Sequence, residues 1–390
     1  MRVIVCPHDT GMGGSQINAI DLAAAVRQRG HDVMLYAPPG PLLDRVRALD
    51  LDWTASPPGL RLSAAWTIGL VRLARSWHAD LVHTYEWAPS VGAAFGPHGL
   101  LGTAQVMTVL SMDVPDFLPR HLDLVVGTQQ LGADSGRFQH RHVIEPPVDT
   151  QQDAPRDRAQ QRHLLGLDPD AFVVSLVGRL TTDLDKVAGV LAAIEAVDEM
   201  AAERHVVLVV AGDGPELVRV ADAAGRVNTR HDRTVVEMTG SLVDPRPVYA
   251  AADVVLGMGS SILRAMAFAR PCIVLGASGF CLPVTRRTIE AFTWQGFYGV
   301  DDGSGYRGLL GFLERLAASP EDRQIIGIWS RGVVVDRYSL GHAAEVLTGV
   351  YSEALARRGS SWGGAASLLE SAAGVGSYMV HRVLPRRAVA

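Results

Sequence analysis

Short runs of apolar, largely β-branched residues alternate with helical stretches along most of this chain, and that alternation leaves few folds open to it. The chain begins with RVIVC, a glycine-bearing turn PHDTGMGGSQ, the alanine-rich helical stretch INAIDLAAAVRQRG and a second strand DVMLYA. Gly30, after Arg27 and Arg29, marks the helix end, because glycine takes the left-handed cap conformation and cations suit the C-terminal dipole. The pattern continues through DLVHTY (80–85), QVMTVL (105–110), DLVVGT (123–128) and HVIEPP (142–147). Such runs predict a parallel sheet covered by helices on both faces. Between Pro146 and Asp170 the chain turns polar and proline-bearing, which reads as a linker with a short helix. A second series follows: FVVSLVG, HVVLVVAG (205–212), VVEMTG (235–240), DVVLG (253–257) and PCIVLG (271–276). The expected fold is α/β, with a domain over 1–150, a linker over 151–170, a second domain over 171–350 and a helical segment over 351–390. Two such domains would leave a cleft between them, and open α/β sheets bind ligands at the carboxyl ends of their strands.

Composition removes several functions. A chain that is 48% hydrophobic and 20% charged is globular, and a net charge of −5 with scattered arginines argues against nucleic acid as a partner. Cys6, Cys272 and Cys281 are odd in number and lack CxxC spacing, which predicts a reducing cytoplasm and no zinc site. No signal peptide and no uncharged apolar stretch long enough to span a bilayer are visible. The cytoplasm is therefore the expected compartment.

The candidate chemistry gathers at strand-to-helix turns. The first holds Gly11, Gly13 and Gly14 beside Ser15; the second Gly212 and Gly214; the third Gly257, Met258, Gly259, Ser260 and Ser261. Missing side chains let backbone N–H groups and a helix N-terminus approach an anion, although glycine also serves plain chain reversal. The first turn, GMGGSQ, does not fit the dinucleotide pattern GxGxxG. Of the 36 basic Lys and Arg side chains only Lys186 is a lysine, seven residues after Arg179. A compact ammonium reaches a phosphate where a planar guanidinium would not fit, and it equally suits the solvated face of a helix. With the three turns, Arg179 and Lys186 form a candidate diphosphate cradle.

The order of these motifs resembles the retaining GT-B glycosyltransferases of family four: GGSQ near the start, PPVD at the linker, GRL followed by the lysine, a strand ending in AGDGPE, then VEMTGSLVDPRPVYAAADVVLG and AMAFARPCIVLG. The resemblance covers roughly residues 1 to 355 and is most specific in the C-terminal run. It implies two Rossmann-like domains, with transfer of a sugar from a nucleotide diphosphate donor to an acceptor held by the N-terminal domain, and no bound metal or other cofactor. Carried over by position, Arg179 and Lys186 hold the donor diphosphate and act in catalysis, Gly13 and Gly14 approach it from the other domain, and Gly212 joins them. The backbone at Leu242 and Val243 lies beside the base, the turn Gly257-Met258-Gly259 faces the donor sugar, and Ser260 and Ser261 after it join the donor site.

The family's two glutamates are missing, with Leu256 and Arg264 at their positions. Arg264 either meets a donor phosphate or acidic sugar, or pairs with a local acid while the ribose is held elsewhere. On the acceptor side the candidates are His8 and Asp9 in the first turn, His83 and Glu86 ending a strand, and Asp113, whose other role is turn formation before Pro115. His140 and His142 lack further ligand spacing, so no metal site is expected there. The tail, with His381, Arg382, Arg386 and Arg387, reads as a helix crossing back to the first domain. The expected activity is metal-independent sugar transfer to a small-molecule acceptor, with a non-catalytic binding or scaffold protein on the same fold as the alternative. Oligomeric state is left open.

Overall fold

The structure, a computed structural model, describes residues 1–383 apart from 60, 112, 302–305, 307 and 359–361. The chain forms two compact units, Met1–Pro147 with Leu340–Ala390, and Val148–Ser339.

The first unit is built on seven strands: β1 (Arg2–Cys6), β2 (Asp32–Ala37), β3 (Asp52–Ala55), β4 (Leu81–Tyr85), β5 (Ala104–Val109), β6 (Asp123–Val126) and β7 (His140–Val143). Their order is β3-β2-β1-β4-β5-β6-β7, and every pairing is parallel. All six residues of β5 are buried, as a strand covered on both faces requires. The first helix, Gly14–Gln28, ends where Gly30 takes φ 87°. Its alanines Ala19, Ala23 and Ala24 share one core with Ala343, Ala344, Leu347 and Val350 of a helix from far along the chain, Leu340–Ala356.

The second unit contains β8 (Phe172–Val177), β9 (Val206–Ala211), β10 (Val236–Gly240), β11 (Val254–Gly257), β12 (Cys272–Leu275) and β13 (Cys281–Pro283), in the order β10-β9-β8-β11-β12-β13. Only β13 runs antiparallel to its neighbour. The run VVLVVA of β9 is wholly buried, and each such valine contributes about 1.5–3 kcal/mol by leaving water.

Two features depart from expectation. The stretch 151–170 is no linker: its helix Arg158–Leu164 packs within the second unit, where Arg162 is buried and paired with Asp253 at 2.7 Å. The second domain also ends at Ser339 rather than at 350, because the helix Leu340–Ala356 buries its apolar side in the first unit. The C-terminal helix, Trp362–Val383, also lies in that unit, where Ser367 Oγ accepts the Arg120 backbone N–H at 2.9 Å. Arg386 and Arg387 fall outside the described residues.

Candidate active site

In a parallel sheet whose strand order reverses direction, the loops on either side of the reversal diverge and leave a crevice at the carboxyl ends. In the first unit the reversal falls between β1 and β4, and in the second between β8 and β11. The turns bearing Gly13, Glu86, Arg179 and Gly259 stand at these places, one pair in each domain.

After β1 comes the glycine turn. Gly13 is the N-cap of the first helix with no side-chain cap, so the N–H groups of the first turn remain available to a ligand. A Cβ on Gly13 would stand 2.3 Å from Gln16 Oε1, whereas one on Gly14 would meet nothing within 4 Å. Asp9 Oδ1 accepts the Gly11 N–H and Gln16 Nε2, both at 2.8 Å, and His8 Nε2 lies 3.0 Å from Gln16 Nε2 and 3.2 Å from Asp9 Oδ2. Burial opposes ionisation of the Asp9 carboxyl, but hydrogen bonds from Gln16 and Gly11 and the charges of His8 and Arg61 outweigh it and hold it below the usual carboxylate range. Arg61, itself buried, donates from Nε to the His8 carbonyl at 2.8 Å. Nothing in its sequence context marked it.

After β4 stands Glu86, at φ 67°, a conformation uncommon outside glycine. Its carboxylate explains why the backbone is held there: Oε1 accepts Ser15 Oγ and the Leu110 N–H at 3.1 Å each, and Oε2 accepts Ser111 Oγ at 2.5 Å. One side chain thus ties together the glycine turn and the ends of β4 and β5. Asp113 is solvent-exposed two residues beyond Ser111. His83 does not belong with them. It is 1% exposed inside β4, its ring nitrogens 2.7 Å from Tyr351 Oη and Thr108 Oγ1, and burial pushes its imidazole down to about 3. It is a core histidine, closed to an acceptor.

In the second unit Arg179 is exposed after β8, and Lys186 is the first residue of the helix Lys186–Met200. Among the described residues neither side chain has a hydrogen-bond or ion-pair partner. The turn before the lysine is strained: Leu184 and Asp185 both take left-handed conformations (φ 55° and 56°), and Asp185 Oδ2 accepts the Ser278 N–H at 2.8 Å. Asp185 was missed because its partner lies in a loop of a different strand.

Gly212 has a packing task besides the donor contact expected of it. At φ 156°, a Cβ there would stand 1.8 Å from the Gly178 carbonyl oxygen. The glycine therefore lets the loop after β9 press against the loop bearing Arg179, where Gly178 N–H donates to Ala211 O at 3.0 Å and Leu180 N–H to Asp213 O at 3.0 Å. It supports the cation loop. After β10, Leu242 is half-buried and Val243 fully exposed.

After β11 the turn is short. Gly257 is buried; Ser261 Oγ donates to the Met258 carbonyl at 2.9 Å and accepts its N–H at 3.3 Å, so this hydroxyl closes the turn. Gly259, at φ 58°, is the uncapped start of the helix Ser260–Ala267, and Ser260 is exposed there. Leu256 is 0% exposed within β11, so its side chain belongs to the core and faces no donor. Arg264 lies on that helix, and its Nε stands 3.7 Å from Asp153 Oδ2. Asp153 is 6% exposed; burial raises its carboxyl above the usual range, with Arg264 and then Arg246 opposing the rise. Of the two readings of Arg264, this contact favours the local acid.

His142 Nε2 pairs with Asp123 at 2.9 Å. Among the described residues no group of three His, Cys, Asp or Glu side chains could hold a metal ion, and no helix is long and apolar enough to cross a membrane.

Comparison with known proteins agrees with this geometry. Among solved structures, Anabaena HepE in complex with UDP superposes with a TM-score of 0.71 at 16% identity over 90% of this chain and 100% of that one. A glycosyltransferase from Rickettsia africae gives 0.69 at 13% identity over 90% and 98%. Two parallel-sheet α/β domains with these neighbours define the GT-B architecture. Residues 12–125 match the glycosyltransferase family 4 model, and residues 171–289 match glycosyl transferases group 1. A D-inositol 3-phosphate glycosyltransferase of Actinosynnema mirum is 25% identical, covering 72% of this chain and 79% of that protein. The protein is a glycosyltransferase of the GT-B fold, with a domain of each of these two kinds.

Proposed function

We propose that the protein moves a sugar from a nucleoside diphosphate donor to a small hydroxyl-bearing acceptor, with retention and without a bound metal. The observation that carries this reading is the pair Arg179 and Lys186, two cations without partners among the described residues, beside the strand-order reversal of the second domain. In the transfer, the bond from the anomeric carbon to the diphosphate oxygen breaks and its electron pair stays on the leaving group. The acceptor oxygen bonds to that carbon on the face the diphosphate leaves, and its proton passes to a phosphate oxygen. Fixed cations and an uncapped helix N-terminus stabilise the charge that builds on the leaving group, the task a divalent ion performs elsewhere. Neighbours solved with UDP and with UDP-glucose support a nucleotide sugar as donor. The relative acting on inositol 3-phosphate supports a polyol acceptor, to be held by the first domain around Glu86, Asp9 and the glycine turn.

Titration calorimetry of nucleoside diphosphates, with and without chelator, tests the donor half. Binding that survives the chelator is expected, and a strict magnesium requirement would overturn the metal-free reading. Proton NMR of the product's anomeric signal, set against the donor's, tests retention.

A further inference from the structure

The turn that leads into the chain's single lysine spends its acid in an unexpected direction. Lys186 is the first residue of its helix, and Asp185, at the N-cap, makes no capping hydrogen bond. An aspartate in that position ordinarily accepts an N–H of its own helix. Here the carboxylate reaches elsewhere: Oδ2 accepts the backbone N–H of Ser278 at 2.8 Å, 93 residues along the chain. We propose that Asp185 is a positioning residue, whose carboxylate latches the loop after β12 to the helix start and so sets the direction of Lys186. The inference rests on the reading that Lys186 meets the donor diphosphate.

Backbone strain supports the latch. Leu184, Asp185 and Ser278 take left-handed conformations, at φ 55°, 56° and 56°. None is glycine, and such residues persist only where their surroundings hold them. Two of the three are the partners of this one hydrogen bond, and the third precedes Asp185. The receiving loop is anchored in turn: Gly276 N–H donates to the Phe280 carbonyl at 2.9 Å, and Tyr306 Oη donates to the Gly276 carbonyl at 3.1 Å. Burial and then the Asp185 charge push the Tyr306 phenol up to about 12, so the carboxylate acts on this anchor as well.

Strand order gives the latch its reach. β8 and β12 lie on either side of β11. A bond from the segment after β8 to the loop after β12 therefore spans the strand that ends in the Gly257–Gly259 turn, and ties the lysine's backbone to the far side of it. An ammonium on a flexible four-carbon stem has many directions open to it. Fixing the base of that stem matters most when charge builds on a leaving group, since an orientation set beforehand costs nothing at that moment.

Because the chain has one lysine, lysine labelled with carbon-13 at Cε gives one side-chain signal, against which UDP can be titrated by NMR and, in parallel, by calorimetry. The variants are Asp185→Asn and Asp185→Gly. Both residue types accept a left-handed backbone, so both should fold; asparagine keeps an oxygen for the Ser278 N–H and glycine removes it. UDP should shift the lysine signal in the wild type and in Asp185→Asn. In Asp185→Gly most of that shift should be lost and UDP should bind about tenfold or more weakly, the worth of one charge-assisted hydrogen bond, with the thermal midpoint near that of the wild type. In a Lys186→Ala background Asp185→Gly should add nothing to the loss of UDP affinity, because a residue that acts through another is not additive with it. A full shift in Asp185→Gly, or losses that add, overturns the latch and leaves the donor reading standing. A wild-type lysine signal that UDP does not move sinks the donor reading of Lys186, and the latch with it.

Discussion

Replacing Lys186 by alanine removes one ammonium from a helix start where it has no partner among the described residues, so function and stability should part company. A charge-assisted hydrogen bond contributes about 1.5–3 kcal/mol, which predicts a loss in kcat/KM of about 10- to 150-fold and a thermal midpoint near that of the wild type. Unchanged turnover would return the lysine to a merely solvated role. Arg264 should behave in the opposite way. Its removal leaves buried Asp153 with only the weaker influence of Arg246, so Arg264→Ala should cost about 1–3 kcal/mol in urea denaturation, and Arg264→Glu more, because it sets a second acid against the first. The double variant Arg264→Ala with Asp153→Asn should recover most of the loss, and additivity of the two single changes would show that the pair is not coupled. The lysine was legible in the sequence because the chain otherwise excludes that residue type. Asp153, Arg61 and Asp185 were not, because each acts through a partner that only the fold brings near, and no local pattern records such a meeting.

At the scale of elements, the glycines sort into two kinds that sequence alone cannot separate. Gly212 is needed by the packing of two loops, and Gly212→Ala should unfold the second domain at markedly lower temperature, since the new Cβ overlaps the Gly178 carbonyl. Gly14 sits at the start of a helix with open space where a Cβ would be. Gly14→Ala should leave the thermal midpoint equal or higher by up to about 1 kcal/mol of stability, and weaken donor binding if the diphosphate approaches that backbone. A fall in midpoint with unchanged binding would reverse the assignment. The interior strands were readable because burial on both faces writes them as continuous apolar runs. The edge strands β3 and β13 were not, since DWTA is only partly covered and CLP is a three-residue antiparallel addition containing proline. His83 misled for a related reason: a polar residue near the end of a strand looks the same whether it faces solvent or, as here, the hydroxyl of Tyr351.

For the molecule as a whole, buried histidines set the response to acid. The His83 imidazole binds its proton near 6.5 when unfolded and only near 3 in the fold. Between those values the unfolded chain holds more protons, so stability is fully present above about 6.5 and falls with pH by up to about 1.4 kcal/mol per unit from this group. His121, lowered to about 4 by burial and by His98, adds to the same slope. Urea midpoints over a pH series should therefore decline from neutral to mildly acidic, and less steeply in His83→Gln; an identical slope in that variant would assign the effect elsewhere. The helix Leu340–Ala356 bears on how the chain is made. Because its alanines complete the core of the first domain, the part of that domain synthesised first must wait on the ribosome with one side of its first helix uncovered while the whole second domain emerges. The second domain, an unbroken stretch from Val148 to Ser339, can fold before it. Release of a chain halted at Ser339 would yield one finished domain carrying an unfinished one, a natural client for chaperones and proteases.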